Sequence, residues 1–225
     1  MNSFTLKIIA MLFMALDHIY TYIPGQPIWF GYLGKLAAPI FFYLIVEGFF
    51  YTRSRKKYMI RLFTFGIVMF GIDYLLGIHN NIFLSLGLGV AMLTAIDYGR
   101  KTKKYWFSIL VGIPLAFAMI FTEAFIYGLG MMLIFYFLRE KKALKFIMYI
   151  VFSLVLLLTM DFSQVSSIYE QLFIFDYQWM MVIATPLLLL YNGEKGISNK
   201  FTKWMFYYFY PAHLIMIVVI GKFLF

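Results

Sequence analysis

Ionisable side chains interrupt stretches of this sequence that are otherwise apolar: Lys7, Asp17, His18, Glu47, Asp73, Asp97 and His213. Inside hydrocarbon each costs about 2.5–3.5 kcal/mol on insertion scales, so each requires a partner, a water-filled cavity or a function. The densest such place is "MALDHIYTY", residues 14–22, where an acid and an imidazole are neighbours. An imidazole exchanges a proton near neutral pH, which suits it to general acid–base work. On a helix, Lys7 and His18 return to within roughly 20° of one face, about 16 Å apart along the axis, whereas Asp17 is rotated by about 100° from His18 and meets a different helix. A second departure is "FYYFYPAHLIM", residues 206–216. Pro211 lacks a backbone N–H and clashes with the carbonyl of Tyr207, which predicts a kink with His213 just beyond it. Two readings stay open for each histidine: a hydrogen-bonded structural group, or a group serving a reactive cavity. Asp97 adjoins a basic loop and Lys7 lies near the N-terminus, so both can reach the membrane interface.

The elements that must hold these groups are membrane helices. Of 225 residues, 64% are hydrophobic and 13% charged, more apolar surface than a soluble domain of this length can bury. A hydrocarbon core of roughly 30 Å takes about 20 apolar residues per helix. Apolar segments fall at residues 6–23, 33–51, 58–76, 82–98, 105–121, 125–138, 146–160, 179–191 and 204–220. The expectation is an all-α polytopic membrane protein of about nine transmembrane helices, forming one integral-membrane domain over residues 1–225. The sixth and eighth segments are short for a full crossing, and Pro114 and Pro186 should kink the helices that contain them. The first segment has no basic stretch ahead of it and no small-residue cleavage site before Pro24, so it reads as a retained helix and not a signal peptide. Cysteine is absent, which excludes disulfides, thiolate nucleophiles and cysteine-based metal sites. His18, His79 and His213 are far apart in sequence, and no metal site is expected.

Charge orients the helices. Arg53, Arg55, Lys56, Lys57 and Arg61 follow the second segment, and Arg100, Lys101, Lys103 and Lys104 the fourth. Arg139, Lys141, Lys142 and Lys145 follow the sixth, and Lys195, Lys200 and Lys203 the eighth. The connections after the first, third, fifth and seventh contain no Lys or Arg. Basic residues near helix ends stay on the cytoplasmic side, which puts the N-terminus inside and the C-terminus outside. The net charge of +9 is this topology signal together with contact to the lipid bilayer; no nucleic-acid partner is expected. Glu123, Asp161, Glu170 and Asp176 fall in or near outer connections, and residues 160–177 form the longest non-basic loop, an outer lid or an interfacial helix.

The segments "LKIIAMLFMALDHIYTYIPG", "LGKLAAPIFFYLIVEGFFYTRSRKKYMIRLF", "NIFLSLGLG", "LYNGEKG" and "FYYFYPAHL" resemble, in order, those of TraX-type membrane proteins, from the first helix to the last. The type member of that family acetylates the N-terminus of conjugative pilin. The family is in turn similar to polytopic acyltransferases that carry acyl groups from cytoplasmic acyl-CoA to acceptors across the membrane. The polysaccharide O-acetyltransferases of that superfamily have on their first helix an Arg followed about three turns later by an essential His. Lys7 and His18 match that pattern with Lys in place of Arg, a point charge where the fork of a guanidinium would stand.

The resemblance implies a bacterial cytoplasmic-membrane enzyme moving an acetyl group from acetyl-CoA to a protein N-terminus or a glycan at the outer face. Lys7, Arg53, Arg55 and Arg61 would hold the donor, with its phosphates on the arginines. His18 would be the general base or a transient acyl carrier, with Asp17 beside it and Glu47 polarising or orienting a neighbour. Asp73 would seat the incoming amine or hydroxyl, and His213 would stand at the acceptor side. Two other functions fit a helical membrane protein with buried polar groups: a proton-coupled transporter or flippase, and a non-catalytic assembly factor for a surface structure. A transporter predicts inverted repeats with broken helices in matching halves, and no convincing repeat is visible.

Overall fold

The computed structural model describes residues 1–155, Leu157 and 167–224, and the regular structure among them is entirely helical. Asp161, the end of the seventh apolar segment and the first part of the 160–177 loop lie outside the described residues. Helices run at α1 Ser3–Tyr22, α2 Trp29–Gly34, α3 Ala37–Tyr51, α4 Arg55–Leu76, α5 Ile82–Thr102, α6 Tyr105–Ile120, α7 Phe125–Phe137 and α8 Lys142–Val155. After the loop come α9 Ile168–Phe175, α10 Gln178–Leu189 and α11 Lys200–Leu224.

Each apolar segment of the sequence coincides with one helix or with a consecutive pair, but the segments are unequal. Five runs are long and apolar enough to cross a membrane: α1, α2–α3 taken together, α4, α5 and α11. A sixth exists if α9 and α10, bent by 67° where they meet, form one broken span. Helices α6 and α7 have 16 and 13 residues, roughly 24 and 20 Å by the rise per residue, less than a core of about 30 Å. The protein is thus an all-α membrane protein with five or six full-length spans among the described residues, where counting apolar segments suggests nine. Length is the physical reason: a 13-residue helix is as apolar as a longer one but does not reach.

Local chemistry sets the helix limits. Asn2 caps α1 by accepting from the Thr5 amide at 3.0 Å, Ser54 caps α4 through Lys57, and Asn81 caps α5 through Leu84. Gly77, at φ +64°, closes α4 in the left-handed conformation that a side chain disfavours. Pro186 does not kink a helix interior as expected. It lies in the first turn of the α-helical part of α10, just after a 3-10 stretch over Gln178–Ala184, a position where its missing N–H is unneeded. Pro114 and Pro211 do lie within helices.

The chain divides into two compact units, Met1–Phe41 with Glu140–Phe225, and Phe42–Arg139. In the first, α1 packs on α2 and on α11. Its N-terminus is stitched to the "LYNGEKG" loop, with Asn192 donating to the Met1 carbonyl at 2.9 Å, Ser3 to Glu194 at 2.8 Å and Phe4 to Lys195 at 3.1 Å. Helices α1 and α11 run parallel, since His18 faces His213 and, further along both, a Cβ on Gly221 would strike the Tyr22 carbonyl. In the second unit α5 is the central helix, packed by α4, α6 and α7 and mostly buried up to its exposed last turn. Small residues permit these approaches, as at Gly99, where a Cβ would collide with Ser108 of α6.

One such close approach to α1 is at Gly34, where a Cβ would collide with the Asp17 side chain, 2.7 Å from its Cγ. Gly34→Val should destabilise the protein by about 1–3 kcal/mol through overpacking. Gly71→Ala, in a helical position with nothing within 4 Å of the added carbon, should instead stabilise it by about 0.5–1 kcal/mol. Thermal unfolding of the two purified variants in detergent measures both, and equal melting temperatures would refute the close contact.

Candidate functional site

The first unit brings together the two histidines that the sequence separates by 195 positions. On α1, the buried residues Leu6, Ala10, Met14 and His18 recur every four positions, so a single stripe of the helix ends in an imidazole. On α11, Tyr210, His213, Leu214 and Ile217 form the buried face. His18 is 3% exposed and His213 5%. Nδ1 of His18 lies 2.8 Å from Nε2 of His213, and the rings are within 18° of parallel with centroids 4.9 Å apart.

Hydrogen bonding fixes the proton positions of the neutral pair. Nδ1 of His213 is 2.6 Å from the carbonyl of Phe209, one turn back on α11. A carbonyl only accepts, so His213 carries its proton on Nδ1 and presents an unprotonated Nε2. Nδ1 of His18 must then donate to that nitrogen, which leaves the lone pair of His18 on Nε2. Aromatic rings hold the arrangement: Phe209 stacks on His213 at 4.4 Å, and Tyr210 presents its edge to both imidazoles at 5.8 Å. Tyr22 stands 6.3 Å from His18 on the same helix. The array is a base, a neutral orienting partner and a terminal acceptor in one line, an arrangement able to take a proton at Nε2 of His18.

Asp17 faces away from this line, as its rotation requires. Its carboxylate is 3.7 Å from the ammonium of Lys35 and packs on Gly34. Lys35 also lies 5.4 Å from the ring centre of Tyr177, which is packed by Tyr20 and Tyr32. Tyr177 occupies the break between α9 and α10, and the Tyr32 hydroxyl donates to the Phe173 carbonyl at 2.5 Å. Acid, lysine and tyrosines therefore surround the bend of the broken helix pair. Sequence reasoning missed Lys35, whose signal was a lone cation in "LGKLAAP" following a helix with an unpaired acid. It also missed the meeting of the histidines, for which no local pattern exists. Lys7 is half-buried on α1 and forms no ion pair among the described residues.

The second unit holds the remaining candidates. Glu47 on α3 is gripped by Arg139, with Nε 3.1 Å from Oε1 and a terminal nitrogen 3.4 Å from Oε2, while that guanidinium covers Phe50 at 4.4 Å. Asp97 on α5 joins Arg55 at 2.5 Å and Lys101 at 2.9 Å, and the Tyr136 hydroxyl donates to it at 3.4 Å. Arg55 is thus neutralised, and its guanidinium also covers Phe49 at 3.9 Å. Arg53 is exposed in the turn between α3 and α4. Arg61 stacks near Tyr58 at 5.7 Å, and its buried Nε has no hydrogen-bond partner among the described residues. Asp73 lies in the last turn of α4 beside the Gly77 cap, and one of its oxygens is buried without a hydrogen-bond partner among the described residues. Arg55 is thus committed to Asp97, whereas Arg53 and Arg61 form no ion pair among the described residues. Among the described residues no three or more His, Cys, Asp or Glu side chains converge.

Comparison with known proteins shows the family of the chain. A family model described as "TraX protein" matches residues 3–221. A protein of Dichelobacter nodosus, named "Probable fimbrial assembly protein FimC, serogroup H1", is 26% identical over 239 residues, covering 99% of this chain and 97% of that relative. No solved structure matches the chain. Since the matched region runs from the start of α1 into the last turn of α11, with both histidines inside it, the chain belongs to the TraX family.

Proposed function

We propose that this protein is a membrane-embedded acetyltransferase of the bacterial cytoplasmic membrane, using acetyl-CoA and an acceptor at the outer face. The observation that carries the reading is the buried His18–His213 pair, whose hydrogen bonds leave the lone pair on Nε2 of His18. Acetyl-CoA supplies the activated acyl group. His18 removes the proton of the acceptor amine or hydroxyl as that atom bonds to the acetyl carbon, and returns it to the sulfur as the carbon–sulfur bond breaks. His213 holds the ring of His18 in this tautomer, a positioning role in place of the acceptor-side role expected for it. Burial keeps water, a competing acceptor, from the base.

Arg53 and Arg61 are the proposed ligands of the donor phosphates, and Lys7 is a separate cation of the first unit. Asp17, through Lys35, fixes the rotation of α1 and so of His18, Glu47 fixes Arg139, and Asp73 seats the incoming amine or hydroxyl. The name of the Dichelobacter nodosus relative supports a surface-filament protein as acceptor. It also favours a second reading, a non-catalytic assembly factor, which the same experiment separates. The N-terminus is cytoplasmic in this proposal. Support comes from the basic loops; the parallel α1 and α11 put the two chain ends on opposite faces, whichever is cytoplasmic.

Purified protein given labelled acetyl-CoA and a membrane extract should label an acceptor. His18→Ala should lower that labelling about 10²–10⁴-fold. His213→Ala should fall between it and wild type, and His213→Gln, which restores an acceptor for Nδ1 of His18, should recover part of the loss. Full labelling by His18→Ala would remove the proposed base; no labelling by wild type, with filament assembly intact in His18→Ala, would favour the assembly factor. Arg53→Glu and Arg61→Gln should each weaken acetyl-CoA binding by on the order of tenfold, measured by calorimetry. Because the chain lacks cysteine, orientation is checked with single cysteines and an impermeant maleimide on intact cells. His79→Cys should react, and Lys104→Cys should react only after permeabilisation; the reverse pattern would invert the topology.

A further inference from the structure

The second unit contains a cleft that the proposed chemistry does not use. It has a volume of about 370 Å³ and lies between α6 and α7 over a floor of Met92 and Ile96 from α5. Gly112 and Ala116 leave the space on α6, and Leu133 and Phe137 form the facing wall on α7. Its rim is open sideways, since Ile109 and Ile113 are about 60% exposed on the outward face of α6. The lining is apolar almost throughout; the hydroxyl of Ser108 is already donated to the Ala95 carbonyl at 3.0 Å. One end differs. There Arg100 lies over the rings of Tyr136 and Phe137, at 5.9 and 5.7 Å, and it forms no ion pair among the described residues. Lys103 and Lys104, both exposed, precede Tyr105 at the same end.

We propose that this cleft holds one acyl chain of an anionic phospholipid, with the lipid phosphate at Arg100. From Tyr105 to Ala116 the cleft follows α6 for roughly 16 Å, half of a core of about 30 Å and so the depth of one leaflet. An apolar trough of that length beginning at a guanidinium matches a chain that begins at a phosphate. A charged or hydrated ligand would lose its water along these walls without gaining partners. A packed helix, about 10 Å across, would need over roughly 16 Å a space on the order of three times this volume. The cation-rich end lies in the basic connection between α5 and α6, where anionic lipid headgroups concentrate at the cytoplasmic leaflet.

The test is lipid binding to the purified full chain in mild detergent, read by native mass spectrometry with phosphatidylglycerol or phosphatidylcholine of identical chains. Wild type should prefer phosphatidylglycerol about fivefold, the factor expected from one cation at the bilayer surface. Arg100→Gln, at an exposed position, should remove the preference while keeping phosphatidylcholine binding. Ala116→Leu should reduce binding of both lipids by filling the trough, and Leu133→Trp, from the opposite wall, covers the case that Ala116→Leu does not fold. Equal binding of the two lipids by wild type would overturn the proposal, as would undiminished binding in either filling variant. Equimolar palmitoyl-CoA displacing phosphatidylglycerol would also overturn it, by giving the cleft to a soluble acyl donor.

Discussion

A polar group carried into hydrocarbon has no water to fall back on, so its hydrogen-bond partner must come from the protein. That constraint organises this molecule more than any apolar contact does, because apolar faces in lipid gain little by meeting each other. Asp17 is answered by Lys35, Glu47 by Arg139, Asp97 by Arg55 and Lys101, and His18 by His213. Apart from Asp97–Lys101, which lies within α5, each match joins segments far apart in the chain and fixes a rotation as well as a distance. A helix turned by one residue would move its polar group about 100° away from the partner.

Such pairs are poor sources of stability in themselves, since desolvating two charges cancels much of their attraction. Their value lies in specifying arrangement. The small residues around them show this, because Gly34 exists in a place where any side chain would displace Asp17, and Gly221 where any side chain would displace the end of α1. With α1 held against α2 on one side and α11 on the other, the stripe ending in His18 has a single possible neighbour on the last helix. The N-terminal residues add a further tie, pairing their backbone with residues 192–195 just ahead of α11.

Much of this was legible in the sequence, and what was not has a common cause. Apolar runs located most of the helices, though not α9, which falls in the stretch read as an outer loop, and the cost of buried charge singled out His18, Asp17 and His213. Rotation alone predicted that Asp17 and His18 would face different neighbours. Partners were another matter: nothing local in "DHIY" or "PAHL" says that the two imidazoles meet, because helix adjacency is decided by packing across 195 positions. Arg55 looked like a free phosphate ligand in a basic run, and its commitment to Asp97 depends on α4 and α5 lying side by side. The number of spans was overcounted because α6 and α7 are apolar throughout but short, the shortness of α7 being visible already in the sixth segment. The bend between α9 and α10 was hidden for the opposite reason, as Asp176 and Tyr177 read as ordinary loop residues.

The choice of partner for His18 carries a physical logic. A carboxylate in place of His213 would orient the ring equally well, but it would add a full negative charge to the membrane interior and demand a cation in return. A neutral imidazole sets the same tautomer with no net charge. The acid next to His18 in sequence is meanwhile turned to the far side of the helix and balanced by Lys35, so the ion pair and the imidazole hydrogen bond occupy separate faces of α1. When Nε2 of His18 takes a proton, the new charge is shared along a line that is already hydrogen-bonded, through Nδ1–H to His213 and from there to the Phe209 carbonyl. Polarisation along such a chain strengthens each bond in it. The neutral array thus keeps its hydrogen bonds at membrane depth without a resident ion, which the cost of an unpaired charge in lipid makes the less expensive of the two designs.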